Sequence, residues 1–409
     1  MTAFPLPLAE LLGQYGSYFI YLLVGLAFGA TLETAGFGNS KKLAAQFYFK
    51  DLTVFKVMFT AIIVAMTLIF LSSAIGLLDY NLLWVPPTYL WPGIAGGLIM
   101  GAGFIVGGFC PGTSLVAMAT GKVDGIFFVL GVLAGIFLFG ETVSQFAVFF
   151  ESSFMGRFTL PELFGVSYGT VVVAVVLMAL FMFWGAEKIE AATRGETAQK
   201  APSWAVPAAG GLVALAVITL VVGQPSNADR WKMIEAEQTA LLDERSVQIE
   251  PAELFGLVHD SQIRAIMLDV REERHYNQFH IHNARLVAMD QLTAIADQLM
   301  QEPANTVFVT MSNDEERATE AWKILKAESL PNVYILEGGV NNWIRTYGDH
   351  NFVQENFLAG HEDDQPAFRF DFAIGSRHPA AEPIAHSEVE FEPKVKLELK
   401  RAPTGGGCG

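Results

Sequence analysis

The stretch Gly101-Ala102-Gly103-Phe104-Ile105-Val106-Gly107-Gly108-Phe109-Cys110-Pro111-Gly112-Thr113-Ser114 decides how the first half of this chain is read. Upstream of it, residues 89–109 form an apolar run of the length that crosses a bilayer, about 20 residues. At Gly108 to Pro111 that helix must stop. Pro111 suits the first turn of a new helix, and Thr113 and Ser114 are good N-cap types. The stretch therefore predicts a small-residue helix, a break, and a short second helix. Moved back by 72 residues, the same pattern recurs without a gap. Gly25-Leu26 matches Gly97-Leu98, Gly29-Ala30 matches Gly101-Ala102, and Gly36-Phe37 matches Gly108-Phe109. Beyond the break, Leu43, Ala45, Lys50, Phe55 and Val57 recur as Leu115, Ala117, Lys122, Phe127 and Val129. The first break, Gly36-Phe37-Gly38-Asn39-Ser40, also carries N-cap types in Asn39 and Ser40.

Working outward, five further apolar runs complete a set of six: 18–38, 52–78, 89–109, 123–149, 166–186 and 204–223. The first is too deep in the chain and too glycine-rich for a signal peptide, and no small-residue cleavage site follows it, so it is retained as a span. Only 17% of the chain is charged, against about a quarter in soluble proteins. The deficit is local. Residues 1–223 carry 9 Lys/Arg and 11 Asp/Glu, and residues 224–409 carry 17 and 31, so −14 of the −16 net charge lies in the second part. That part reads as an acidic water-soluble module, unsuited to nucleic acid or anionic lipid. The expected fold class is an α-helical multi-spanning membrane domain with an internal repeat and broken helices, followed by a small α/β domain. Boundaries are expected at 1–223 for the membrane domain, 224–245 for a linker helix, 246–348 for the α/β domain and 349–409 for an extended segment.

Orientation follows from the basic residues. Lys41, Lys42, Lys50, Lys56, Lys122, Lys188, Arg194 and Lys200 fall on one side of six spans and only Arg157 on the other. Cytoplasmic loops are the Lys/Arg-rich ones. The N-terminus and, after six crossings, the C-terminal domain are therefore expected outside, in the periplasm of a bacterial inner membrane.

Paired glycine-interrupted segments at corresponding positions point to a transport site. Broken helices at membrane depth survive only where protein or a water-filled cavity satisfies the backbone, and the free N–H groups of a half-helix start favour an anion. The alternative, that the glycines merely let helices pack closely, does not explain a doubled break. The expected substrate path comprises Cys110, Gly108, Pro111, Gly112, Thr113 and Ser114 with Gly36, Gly38, Asn39, Ser40 and Glu33. Cys110 lies where a helix N-terminus stabilises thiolate over thiol. Glu33 and Glu141 are carboxyls inside the spans and functional candidates for that reason. Two cysteines, Cys110 and Cys408, make no disulfide framework.

Gly101-Ala102-Gly103-Phe104 running into Gly108-Phe109-Cys110-Pro111-Gly112-Thr113, together with Gly25 to Leu43, resembles the YeeE/YedE family of thiosulfate-type transporters over most of residues 17–143. The resemblance implies passage of a small sulfur-containing anion along a narrow helical path by way of cysteines, with Cys110 as a path cysteine and the lipid bilayer as its setting. The chain departs from the pattern at Gly38, the repeat counterpart of Cys110, and has no other membrane cysteine. A multi-cysteine relay is excluded.

From Ser246 the pattern becomes α/β. Runs 265–270, 306–311 and 333–336 predict buried strands, with a helix over 317–326, which argues a parallel sheet. Leu268-Asp269-Val270-Arg271-Glu272, Tyr276, His280-Ile281, Asn283-Ala284, Leu336-Glu337-Gly338-Gly339-Val340 and Trp343 resemble the rhodanese domain over 246–348. That resemblance implies a catalytic cysteine five residues before an arginine, in a loop whose backbone N–H groups cradle a persulfide. Here the arginine is Arg317 and the cysteine position holds Ser312. A serine hydroxyl cannot hold the persulfide, and Asp314-Glu315-Glu316 repel an anionic sulfur donor. The module is expected to bind without catalysing. The rhodanese-type motif accounts for His280, so His275, His280 and His282 are not read as metal ligands. No metal or cofactor is expected.

Residues 224–245 predict an amphipathic helix through Trp231, Ile234, Leu241 and Leu242. After Gly348 the chain reads as polar and irregular, with Val389-Glu390-Phe391 and Val395-Lys396-Leu397-Glu398-Leu399 alternating as strands do. It ends Gly405-Gly406-Gly407-Cys408-Gly409, which resembles the Gly-Gly-Cys-Gly ending of periplasmic sulfur-carrier proteins. By that resemblance Cys408 is a sulfur-loading thiol on a pliable arm, and a periplasmic sulfur-handling protein is a candidate partner. The competing reading is a membrane-anchored sulfur relay or an assembly subunit of a larger complex.

Overall fold

A computed structural model describes residues 4–6, 8–194, 203–384 and 389–398. Between Gln224 and Pro225 the chain divides into two compact units.

The first unit is helical. Helix α1 (Leu8–Thr34) is followed by the short α2 (Ser40–Ala45), then α3 (Thr53–Ala74), α4 (Leu90–Gly107), α5 (Pro111–Ala119) and α6 (Val123–Thr142). Short α7 (Ala147–Phe150) and α8 (Leu160–Phe164) precede α9 (Tyr168–Arg194) and α10 (Ala205–Val222). Six segments among these are long and apolar enough to cross a membrane: Leu11–Thr34, Thr53–Ala74, Leu90–Ala119, Val123–Phe150, Tyr168–Thr193 and Ala205–Val222. They correspond one for one to the expected spans. Most of their large apolar side chains point outward, as a bilayer solvent requires. The small interior splits in two. Ile63 of α3, Val172, Val176 and Ala179 of α9, and Ala216 of α10 lock one three-helix cluster. Phe37, Leu43, Val54, Phe109 and Ala117 form the other, around the two breaks.

The second unit opens with α11 (Asn227–Asp243), β1 (Gln248–Ile249), α12 (Pro251–His259), β2 (Arg264–Asp269), α13 (Glu273–Gln278), β3 (Arg285–Leu286) and α14 (Leu292–Leu299). It continues through β4 (Thr306–Met311), α15 (Glu316–Ala327), β5 (Val333–Leu336), α16 (Gly339–Tyr347) and α17 (His350–Asn356). The sheet is wholly parallel, in the order β1-β5-β4-β2-β3, with Ile266 of β2 opposite Phe308 of β4. The three expected strands and the helix between the last two are all present. The two-residue strands β1 and β3 carry too little sequence to show a period.

The expected amphipathic helix is α11, and it packs on α15. Trp231 meets Trp322 edge to face at 6.2 Å, Asn227 Nδ2 donates to the Ile324 carbonyl at 3.0 Å, and Arg230 pairs with Glu328. The segment after Gly348 is less irregular than its polarity suggests. Ala367, Phe368, Ala380 and Ala381 belong to the buried core, and Trp343 Nε1 donates to the Ala380 carbonyl at 2.6 Å. The expected strand alternation near the end is corrected: the described residues 389–398 form no strand. Their backbone groups bond to side chains instead. Glu253 Oε1 accepts from the N–H groups of Lys394 and Val395, each at 2.8 Å. Tyr334 OH accepts from Lys396 N–H at 2.9 Å, and Asn332 Oδ1 from Glu398 N–H at 2.8 Å. Leu399 lies outside the described residues.

Candidate functional site

The two breaks share a backbone solution. α1 ends with Phe37 N–H bonded to the Leu32 carbonyl at 3.0 Å and Gly36 at φ 86°, and α4 ends on Gly108 at φ 72°. Both are left-handed positions where glycine has no steric cost. The next residue in each copy, Phe37 or Phe109, is 1% exposed in the same core cluster. The breaks also touch: a Cβ placed on Gly108 would lie 3.0 Å from both Cβ and the carbonyl oxygen of Ser40. The sequence repeat is thus a structural repeat, with its two interruptions packed face to face.

The helix starts that follow differ. Asn39 caps α2, its Oδ1 accepting from the N–H groups of Lys41 at 3.1 Å and Lys42 at 3.4 Å. Ser40 is already helical and donates its hydroxyl to Asp124 Oδ2 at 2.7 Å. In α5 the expectation that Thr113 or Ser114 caps is corrected, because Cys110 itself is the N-cap. Its Sγ accepts from Thr113 N–H at 3.5 Å while Thr113 Oγ1 accepts from Cys110 N–H at 3.0 Å. The Sγ and Thr113 Oγ1 stand 3.3 Å apart. This is a capping box with sulfur in place of the usual oxygen. Capping three residues before Thr113 puts Pro111 in the first turn of the helix, and Ser114 Oγ donates back to the Pro111 carbonyl at 2.7 Å. Gly112 lies in the same first turn.

Glu33 joins this region, bonded through Oε1 to Lys122 Nζ at 3.0 Å. Lys122, the repeat counterpart of Lys50, has no place in the expected path, since its partner lies 89 residues away and only the packed breaks bring them together. Glu141 does not join. It is exposed near the opposite end of α6 from Lys122, roughly 27 Å along the helix at 1.5 Å per residue.

In the α/β unit the rhodanese-type motif residues build scaffold. Asp269 ends β2 fully buried and takes Arg271 through Nε at 2.9 Å and Nη2 at 2.6 Å. Arg271 Nη2 also donates to the Phe279 carbonyl at 2.8 Å. Tyr276 OH donates to the Ala284 carbonyl at 2.8 Å, and His280 stacks on Tyr276 at 3.9 Å. Asn283 takes φ 63°, which asparagine tolerates. Gly338 and Gly339 have φ 65° and 59°, and a Cβ on Gly339 would sit 2.0 Å from the Asp314 carbonyl oxygen. That close approach explains why glycine stands there.

Ser312 follows β4, wholly buried, with Oγ accepting from Ala318 N–H at 3.2 Å. The loop after it is occupied by the chain's own groups. Asp314 N–H donates to Asp364 Oδ1 at 3.0 Å and Asp364 N–H to Asp314 Oδ2 at 3.2 Å. Asn341 Nδ2 donates to Asp314 Oδ1 at 2.8 Å. Glu315 Oε1 accepts from Gly338 N–H at 2.7 Å and pairs with Arg245. Asn313 Nδ2 donates to the Asp364 carbonyl at 2.7 Å and to His275 Nδ1 at 3.2 Å. Burial, and then the Arg274 charge, hold His275 below the ordinary imidazole value, so it is neutral at pH 7 and able to accept that bond. Arg317 stays near the surface, 3.9 Å from Glu272. The space left beside the loop, between Arg271, His275, Asn313 and Phe368, has room for about one water. Among the described residues no group of three His, Cys, Asp or Glu side chains is placed to hold a metal. Cys408 lies outside the described residues.

A membrane domain with two packed, repeated helix breaks, one capped by a thiol, has the paired interruptions that point to a transport site, and it is joined to a parallel α/β module. Comparison with known families gives both halves a name. Residues 34–235 match the family described as Sulphur transport, and residues 250–346 match the rhodanese-like domain. The chain thus carries a sulphur-transport domain of the YeeE/YedE type followed by a rhodanese-like domain. No curated protein matches the chain.

Proposed function

We propose that this protein carries a small thiosulfate-like anion across the bacterial inner membrane, past Cys110 at the paired breaks. The observation that carries the reading is the sulfur at the N-cap of α5, in a break that is repeated and packed against its counterpart. A helix start presents free N–H groups to an anion, and a thiol is the side chain that interacts with a sulfur terminus. The test is uptake of labelled thiosulfate, sulfite and sulfate into vesicles carrying the protein. Thiosulfate uptake above protein-free vesicles is expected, and its absence for all three anions rejects the reading.

The rhodanese-like unit is proposed to lie in the periplasm as a docking domain. The eight-to-one asymmetry of Lys and Arg supports this side. Cysteines introduced at Ser261 and Thr197, with Cys110 and Cys408 replaced, are expected to label oppositely with a membrane-impermeant thiol reagent, Ser261 reacting in intact cells. Labelling of Thr197 alone in intact cells rejects this topology.

The unit is further proposed to bind rather than catalyse. Asp364 and Glu315 already take backbone N–H groups around the loop that a persulfide would need. Wild type and Ser312→Cys are both expected at background in a cyanide-dependent sulfur-transfer assay. Clear turnover by the wild-type protein overturns this.

Cys408 is proposed as the loading thiol. The Glu398–Asn332 bond pins the chain ten residues before it, and ten extended residues reach at most about 36 Å.

A further inference from the structure

The repeat sets Gly38 opposite Cys110, and the structure shows what uses the room that glycine leaves. A Cβ on Gly38 would lie 2.2 Å from Glu33 Oε2 and 2.7 Å from Lys122 Nζ. Any side chain there would displace the Glu33–Lys122 pair. One half of the paired break therefore presents a sulfur, and the corresponding place in the other half presents an ammonium with its own counter-ion. Lys122 is held in position from both sides: Gly121 turns the chain at φ 73° and Lys122 is the N-cap of α6. α6 is in turn pressed on α5, where a Cβ on Gly125 would sit 2.5 Å from Ala117 Cβ.

The neighbouring charges are committed elsewhere. Lys42 Nζ donates to the Ala35 carbonyl at 3.0 Å, and Asp124 accepts the Ser40 hydroxyl. Glu33 is held by one oxygen only. Its Oε2 is shielded from solvent and has no hydrogen-bond partner among the described residues. The Lys122 and Glu33 side chains remain 36% and 37% exposed. A pair this open is weakly held and exchangeable.

We propose that the Glu33–Lys122 pair is an exchangeable anion gate: Lys122 receives the sulfur anion beside Cys110, and Glu33 is the internal counter-ion which that anion displaces. At rest the carboxylate satisfies the ammonium. The anion takes its place on Lys122, and the returning carboxylate expels it. No covalent step is involved. The proposal rests on the transport reading for its cargo and names the cation and the competitor within that path.

The experiment is thiosulfate uptake by the full-length protein in proteoliposomes, with thermal stabilisation of the detergent-solubilised protein by thiosulfate as a separate binding readout. Glu33→Gln is expected to lower KM about tenfold and to lower kcat, because the ammonium loses its competitor and the anion leaves slowly. Lys122→Gln is expected to raise KM at least about tenfold and to abolish stabilisation by thiosulfate, and Lys122→Arg to retain both. A merely structural pair would give lower folded yield with unchanged KM. An unchanged or raised KM in folded Glu33→Gln overturns the gate. Should that variant not fold, Glu33→Asp, whose shorter arm weakens the same pair, must lower KM, and a wild-type KM there overturns it equally. Wild-type protein that is stabilised by thiosulfate through Lys122 but transports none sinks the transport reading and upholds the anion site.

Discussion

Cys110→Ala is expected to lower thiosulfate uptake by about a hundredfold, equivalent to a lost contact of about 2.7 kcal/mol, with folded protein still recovered. The recovery follows from the geometry. Cys110 is half-buried, outside the Phe37–Phe109 cluster, and α5 keeps Pro111 in its first turn and its packing on α6 when the cap is gone. Losing an N-cap costs about 0.5–2 kcal/mol, which a membrane unit with two separate helix clusters tolerates. Cys110→Ser separates capping from sulfur chemistry. A serine oxygen restores the bond from Thr113 N–H, so a role confined to capping predicts full uptake in that variant. The sulfur-path reading predicts that Cys110→Ser stays as low as alanine. Wild-type uptake in the serine variant rejects a role for the thiol and leaves anion capture by the helix starts and Lys122.

Arg271→Ala is expected to destabilise the rhodanese-like unit by about 3–5 kcal/mol, the cost of leaving a buried charge without its partner. Asp269 is 0% exposed, and three of its contacts come from Arg271: the backbone N–H, Nε and Nη2. The same guanidinium reaches the Phe279 carbonyl and Asn313 Oδ1, tying the end of β2 to the loop after β4. Arg271→Lys rescues only in part, since an ammonium cannot reproduce the planar fork. Hydrogen exchange of the β2 and β4 amides in the full-length protein measures the loss, because those core strands open only with the whole unit. Wild-type protection in the alanine variant would show that Asp269 finds another partner.

The membrane architecture was legible because length and hydropathy act locally. A run such as 53–74 has only one stable conformation in hydrocarbon, and a gap-free repeat of 72 residues needs no folded structure to be seen. The rhodanese-like core was legible for a similar reason. Strands such as Thr306–Met311 are buried on both faces and read as continuous apolar runs. The site was only half legible. The sequence marked Cys110 and both breaks, yet assigned the cap of α5 to Thr113 or Ser114. Cap identity depends on where the preceding helix ends, and Gly108 at φ 72° sets that point.

Six spans, a doubled break, an asymmetric set of lysines and an acidic α/β module with no cysteine over residues 246–348 are all readable along the chain. What meets at the break and what fills the loop follow from packing alone. Glu33 and Lys122 are 89 residues apart, Asp314 and Asp364 are 50 apart, and Glu253 and Lys394 are 141 apart. None of these pairs has a period or motif linking its members. They are side-chain contacts that exist only once the helices and sheet have packed, whereas hydropathy and backbone breaks are properties that each residue carries before folding.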